Sequence, residues 1–167
     1  MTTTPATLVD SYQLGPLRLP NRIVMSPMTR VRSGPEGLAT VSMAAYYAQR
    51  ASAGLLISEG IQPSLLGQSN PLTPGLFTDA QSESWRQVTG AVHVNPSHPA
   101  SPAPTSRKTA EHFLSLGADL ISFGRVFLAN PDLVERLRAD LPLDEADEAT
   151  YYAGGDTGYL TYTAYRR

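Results

Sequence analysis

The stretch NRIVMSPMTR, residues 21–30, decides how the rest of the chain reads. Ile23-Val24-Met25 is a brief apolar run with no polar alternation, set between Pro20-Asn21 and Ser26-Pro27. A strand with one face in water alternates apolar and polar residues. A strand apolar throughout is buried on both faces, as in a parallel sheet covered by helices. The run therefore predicts a short buried strand whose C-terminal end carries Pro27, Met28 and Thr29.

The same pattern returns twice. LLISEG, residues 55–60, ends in Glu59-Gly60, and ADLISFGR, residues 118–125, ends in Gly124-Arg125. Helical periodicity fills the intervals. Thr40 caps SMAAYYAQRASAG, which Gly54 stops; Thr78 or Asp79 opens AQSESWRQVTGAVH; SRKTAEHFLSLG stops at Gly117; and NPDLVERLRADLP starts with Asn130 as cap and Pro131 in its first position. Residues 12–22, YQLGPLRLPNR, read as a small hairpin or extended lead-in. Strand, loop and helix recur, so the class is α/β, and no fixed-period repeat competes with it.

One stretch fits neither element. VHVNPSHPASPAPTS, residues 92–106, holds Pro96, Pro99, Pro102 and Pro104, which exclude a helix or a central strand. We expect one domain with a disordered tail over 1–10, a first portion over 11–93, a proline-rich seam over 94–107, and a second portion over 108–167 ending in a tyrosine-rich tail.

At 167 residues the chain can bury a real core but is short for a closed (β/α)8 barrel, which takes about 200 residues or more. A net charge of −2 makes no electrostatic case for nucleic acid or an acidic membrane surface. The absence of cysteine removes disulfides, thiolate catalysis and thiolate-held metals. MTTTPATLVD has neither a basic nor an apolar leader region, and no run approaches the roughly 20 apolar residues of a membrane span. The expectation is a soluble, cytoplasmic protein.

In parallel α/β folds ligands sit at the C-terminal ends of the strands, which here carry SPMTR, SEG and FGR. Gly124 lets the chain approach a phosphate and Arg125 offers a bidentate fork to its oxygens; a strand-end turn with a solvated Arg is the plainer alternative. Thr29 is otherwise a turn hydroxyl, and Gly60 a tight turn. Glu59 is an acid/base candidate, with an ion pair to Arg30 or Arg50 the more ordinary role. His93, His98 and His112 show no metal spacing, so no metal site is expected. Trp85 and Tyr46-Tyr47 fall at core positions. The tyrosines from Tyr151 to Tyr165 pack by default, since a proton donor among them needs a partner to tune it.

Taken together, YQLGPLRLPNRIVMSPMTR, YYAQRASAGLLISEG, SNPLTPGLFTDAQSESWRQVTGAVH, GADLISFGRVFLANPDLVERL and the tail GYLTY resemble the old yellow enzyme family of FMN-dependent ene-reductases. The resemblance covers nearly the whole chain outside roughly residues 94–107. It implies a TIM barrel that holds FMN at its top face. Pro27, Met28 and Thr29 would lie against the flavin, with Thr29 bonding its carbonyl edge; Gly60 would sit beside the ring; Gly124 and Arg125 would hold the phosphate. Tyr162 matches a tail tyrosine that approaches the substrate pocket in some members.

The resemblance has a gap. In the family, most of the barrel lies between a helix like WRQVTGAVH and one like TAEHFLSLG, where this chain has only the proline stretch. Missing with it are the pair that grips the substrate carbonyl, the proton-donating tyrosine, the Gln and Arg at the flavin pyrimidine, and the phosphate loop after strand seven. What remains is a partial TIM-barrel fragment of about three parallel strands, equivalent to barrel strands 8-1-2. Such a sheet has two unpaired edges and one uncovered face, which soluble proteins avoid. A homo-oligomer or a partner chain over the open sheet is therefore expected. The implied function is an FMN-dependent oxidoreductase that reduces activated C=C bonds of a small-molecule substrate with NADH or NADPH. The alternatives are a catalytically degenerate scaffold or binding subunit, and a cofactor-free lyase, isomerase or cyclase reusing the pocket with Glu59 or a tail tyrosine.

Overall fold

A computed structural model describes residues 6–68, 70–94 and 107–165. The proline-rich seam, apart from its two end residues, lies outside the described residues, as does His98.

The chain opens with an antiparallel hairpin, β1 (Tyr12–Leu14) and β2 (Leu17–Leu19), turned at Gly15 with φ of 54°. β3 (Ile23–Met25) leads through a loop to α1 (Val41–Gln49), then β4 (Leu55–Leu56), a long loop and α2 (Asp79–Val94). Beyond the seam come α3 (Arg107–Ser115), β5 (Ile121–Phe123), α4 (Arg125–Ala129) and α5 (Leu133–Arg138). β3 is the middle of a three-stranded sheet ordered β4-β3-β5, parallel throughout, with Val24 opposite both Leu55 and Ser122. The three expected strands thus form one arc with the first strand at its centre, and no closed barrel forms among the described residues.

Alternation along the strands separates two faces. Ile23, Met25, Ile121 and Phe123 turn toward the helices and enter a core with Met43, Tyr46, Tyr47, Trp85, Phe127, Leu133 and Val134. Each such large side chain contributes roughly 1.5–3 kcal/mol relative to exposure. Tyr46 and Tyr47 of α1 and Trp85 of α2 are core residues, as their spacing predicts. On the opposite face Ser122 and Ile57 are exposed, and the Ser26 and Ser122 hydroxyls bond each other at 2.6 Å. Among the described residues no strand pairs with the outer edge of β4 or of β5.

Four boundaries differ from expectation, each for a local reason. α1 ends at Gln49 rather than Gly54, because Gly54 is needed where the chain doubles back: a Cβ there would stand 2.3 Å from the Asn21 carbonyl oxygen. Arg125 opens α4 instead of closing a strand. Asn130 ends α4 rather than capping the last helix; it is fully buried and its amide donates to the carbonyls of Val126 and Asp144. α5 begins only at Leu133, after Asp132. Packing also starts before residue 11, since Leu8 is 1% exposed and its carbonyl accepts from Arg22 N–H at 2.9 Å.

Candidate functional site

Backbone pairing continues past the strands and keeps their ends side by side. Ser26 N–H donates to Phe123 O at 2.9 Å, and Ile57 N–H donates to Met25 O at 3.1 Å. The residues that follow meet at one end of the sheet. Met28 Sδ stands 3.7 Å from where a Cβ on Gly124 would be, and Thr29 Oγ1 stands 4.0 Å from where one on Gly60 would be. Both glycines leave open surface rather than relieving a clash. Pro27 and Gly60 are exposed, and Met28, Thr29 and Gly124 are half-buried.

A cleft of about 400 Å³ lies beside Thr29, lined also by Val31, Asn70, Pro71 and Tyr152. A larger one of about 640 Å³ shares Asn70 and Pro71 with it and extends toward Thr78 and Gln81, away from the strand ends. The smaller cleft is the one that Thr29 lines. Tyr152 in its wall is a residue the sequence does not single out; it is one tyrosine of several in the tail, and nothing in its spacing marks it.

Of the predicted residues Thr29 alone lines this cleft, and Arg125 and Tyr162 border others. Arg125 is exposed, pairs with Glu148 at 3.4 Å, and borders a cleft of about 390 Å³ with Asp144, Glu145 and Tyr151. Tyr162 accepts a hydrogen bond from Asp147 N–H at 2.8 Å and lines a further cleft with Gln49, Pro131 and Asp132. Of the histidines within the described residues, His93 lies on α2 and His112 on α3.

Behind the strand ends is a buried polar layer. Glu59 is 2% exposed and accepts the Arg30 backbone N–H at 3.2 Å through Oε2. The expected ion pair with Arg30 or Arg50 is replaced by this contact; among the described residues no ion pair includes Glu59. Burial lifts its carboxyl above the usual carboxylate range, against the pull of the Arg30 and Val31 N–H groups and the Arg30 and Arg32 charges. Arg50 instead donates to the carbonyls of Phe127 and Leu128 at 2.9 Å each and lies 3.8 Å over the Tyr46 ring.

The Arg30 and Arg32 side chains seat the C-terminal tail. Arg30 donates to Tyr151 O at 3.0 Å and Gly158 O at 2.9 Å; Arg32 donates to Thr150 O at 2.9 Å, Gly155 O at 2.7 Å, and Ala153 O. Both guanidinium groups lie over the Tyr159 ring, which stacks on Tyr46 at 4.2 Å. Tyr152 reaches the Thr29 cleft because its neighbours in the chain are held in this way.

The sequence profile of the NADH:flavin oxidoreductase / NADH oxidase family matches residues 8–99, more than half of the chain. Among curated relatives, 12-oxophytodienoate reductase 7 of Oryza sativa subsp. japonica is 43% identical over 90 residues, covering 53% of this chain and 23% of the relative. Chanoclavine-I aldehyde reductase of Penicillium roqueforti is 41% identical over 93 residues, covering 54% and 25%. The chain thus matches about a quarter of the length of these relatives. Among solved structures, morphinone reductase matches with a TM-score of 0.89 at 18% identity, covering 99% of this chain and 98% of that one. The old yellow enzyme homologue from Zymomonas mobilis matches at 0.87 and 19% identity, covering 96% and 100%. At such identities the likeness is one of fold, that of the TIM-barrel old yellow enzymes, and it extends to the residues after the seam that the profile does not reach. With the profile match over its N-terminal portion and this fold throughout, the chain belongs to the NADH:flavin oxidoreductase / NADH oxidase family.

Proposed function

We propose that this chain is a shortened, FMN-binding oxidoreductase of the ene-reductase type, reducing activated C=C bonds of a small molecule with NADH or NADPH in the cytoplasm. We further infer that a second chain, a copy of itself or a partner, completes its barrel. The observation that carries the reading is the convergence of Pro27, Met28, Thr29, Gly60 and Gly124 on one end of β4-β3-β5. Bare glycines beyond the ends of β4 and β5, the two strands that flank β3, leave room for a flat ring to approach the backbone, so the residues present suit the flavin's edge. FMN, when bound, supplies hydride transfer from a nicotinamide to the acceptor. On this reading Pro27, Met28 and Gly60 face the ring, Thr29 bonds its carbonyl edge, and Gly124 and Arg125 hold the phosphate. Arg125 is available for that role because an exposed pair such as Arg125–Glu148 is weak and readily exchanged. Tyr162 would assist from the tail, where its oxygen accepts from Asp147 N–H and its O–H can still donate.

Exposed Ser122 and Ile57 on the inner face and, among the described residues, the unpaired outer edges of β4 and β5 support the need for a second chain. So does the small share of each curated relative that the sequence match covers. A visible spectrum of the purified protein taken with its mass in solution is the test. A yellow, associated protein that oxidises NADH or NADPH with an enone acceptor is the expected result, with Arg125→Ala weakening FMN binding about tenfold or more. A colourless protein that takes up no FMN on titration overturns the proposal.

One observation favours a second reading, a scaffold or binding subunit without redox chemistry: Arg125 already has a carboxylate partner and lies outside the Thr29 cleft. Turnover that disappears in Thr29→Ala or Arg125→Ala excludes it.

A further inference from the structure

We propose that Glu59 is a positioning residue for this end of the sheet: one carboxyl oxygen holds the turn that aims Thr29, and through that turn the seat of the tail segment carrying Tyr152. The consequence at Thr29 rests on the flavin reading above; the coupling of turn to tail stands without it.

Glu59 is held on both sides. Its own N–H donates to the Tyr47 hydroxyl at 3.0 Å, which ties it to α1, and its Oε2 accepts Arg30 N–H at 3.2 Å. The next residue, Val31, has φ of 55°, a conformation that a β-branched residue keeps only where its surroundings impose it. Glu59 is the side chain that accepts the backbone N–H just before the strained residue, while the Arg32 guanidinium donates to Arg30 O and the Thr40 hydroxyl to Arg32 O. On one side of the strained residue is Thr29, and both line the same cleft. Immediately flanking the strained residue are Arg30 and Arg32, whose guanidinium groups diverge onto the carbonyls of residues 150, 151, 153, 155 and 158. The tail so held returns Tyr152 to the cleft of Thr29 and Val31.

The arrangement is costly if its only purpose is to fill space. Glu59 Oε1 and the Tyr159 hydroxyl are both buried without a hydrogen-bond partner among the described residues, and an apolar side chain would avoid that penalty. A single acceptor aimed at a strained turn is what the carboxyl adds over a hydrocarbon of similar size.

Hydrogen exchange on wild type, Glu59→Leu and Glu59→Gln tests this. Leucine removes the acceptor while filling the space; glutamine keeps an oxygen for Arg30 N–H. Glu59→Leu is expected to speed exchange about tenfold or more at both 29–32 and 150–158, and Glu59→Gln to restore near-native protection. In FMN-loaded protein, Glu59→Leu should reproduce the shift in the flavin absorption spectrum that Thr29→Ala causes, and Glu59→Gln should not. Native protection in Glu59→Leu, or equal loosening in both variants, overturns the proposal. Should Glu59→Leu fail to fold, wild type decides: the two segments opening together as low denaturant is added supports the coupling, and independent opening sinks it. A chain that takes up no FMN removes the flavin reading, while the exchange data still judge the coupling.

Discussion

Asn21 and Gly54 show how a single contact sets a strand's entry. Asn21 is fully buried; its side-chain oxygen accepts from Ile23 N–H at 3.0 Å and Gly54 N–H at 2.9 Å, and its amide donates to Ser52 O at 3.1 Å. One side chain thereby joins the start of β3 to the approach to β4. Gly54→Ala would press a methyl group into the Asn21 carbonyl, and overpacking of this kind costs about 1–3 kcal/mol. A lowered urea midpoint with an unchanged slope is the expected result. At Glu59 the pH dependence has a definite sign. Burial raises its carboxyl above the ordinary range while Arg30 and Arg32 oppose the rise, with Tyr47 and Tyr159 also close enough to interact. Between its unfolded and folded values the folded state binds more protons, so this group lowers stability as pH rises through that window. Glu59→Gln should flatten the fall, and urea midpoints followed by Trp85 fluorescence from acid to neutral pH will read it.

At the scale of elements, α1 shows a cap doing two jobs. Thr40 Oγ1 accepts from Met43 N–H at 3.2 Å, satisfying one of the free donors of the first turn, and the hydroxyl donates to Arg32 O at 3.1 Å. The helix start is thus tied to the loop that carries the tail-seating arginines. Thr40→Ala is expected to cost about 1 kcal/mol. Thermal unfolding gives that figure, and exchange at residues 30–32 will show whether the loop loosens with the helix. α2 is anchored differently, by Trp85 in the core, with its indole N–H donating to Gly75 O at 3.1 Å. The long loop before α2 is pinned there, which keeps Asn70 and Pro71 beside Thr29.

Across the whole molecule the unfinished sheet is the dominant fact. Parallel strands gain hydrogen bonds on both sides only when a neighbour lies on each, and among the described residues β4 and β5 each have one free edge while Ile57 is 41% exposed on the inner face. A two-fold axis along the strands would bring the β4 edge of one copy to the β5 edge of another with all strands still parallel. The expected mass in solution is therefore above the 18.0 kDa of one chain. Ile57→Lys, which places a charge on that face, should return the protein toward the mass of a single chain in light scattering. A monomeric wild type would count against completion by a second copy.

Ile23-Val24-Met25, LLISEG and ISFGR announce a parallel α/β arc because apolar period, glycine and proline act within a few residues, where sequence and geometry are tightly linked. The grouping of Pro27, Met28, Thr29, Gly60 and Gly124 is readable for the same reason: each follows a strand within a few residues, and parallel strands end on one side. The roles of Arg30, Arg32, Glu59 and Tyr152 were not. Arg30 meets Gly158 across 128 positions of sequence, and its partner is a backbone carbonyl, which every residue has. Such bonds leave no residue-type signature. Which tyrosine reaches the Thr29 cleft, and whether Glu59 grips a side chain or a backbone N–H, were decided only when the tail folded back onto the strand ends.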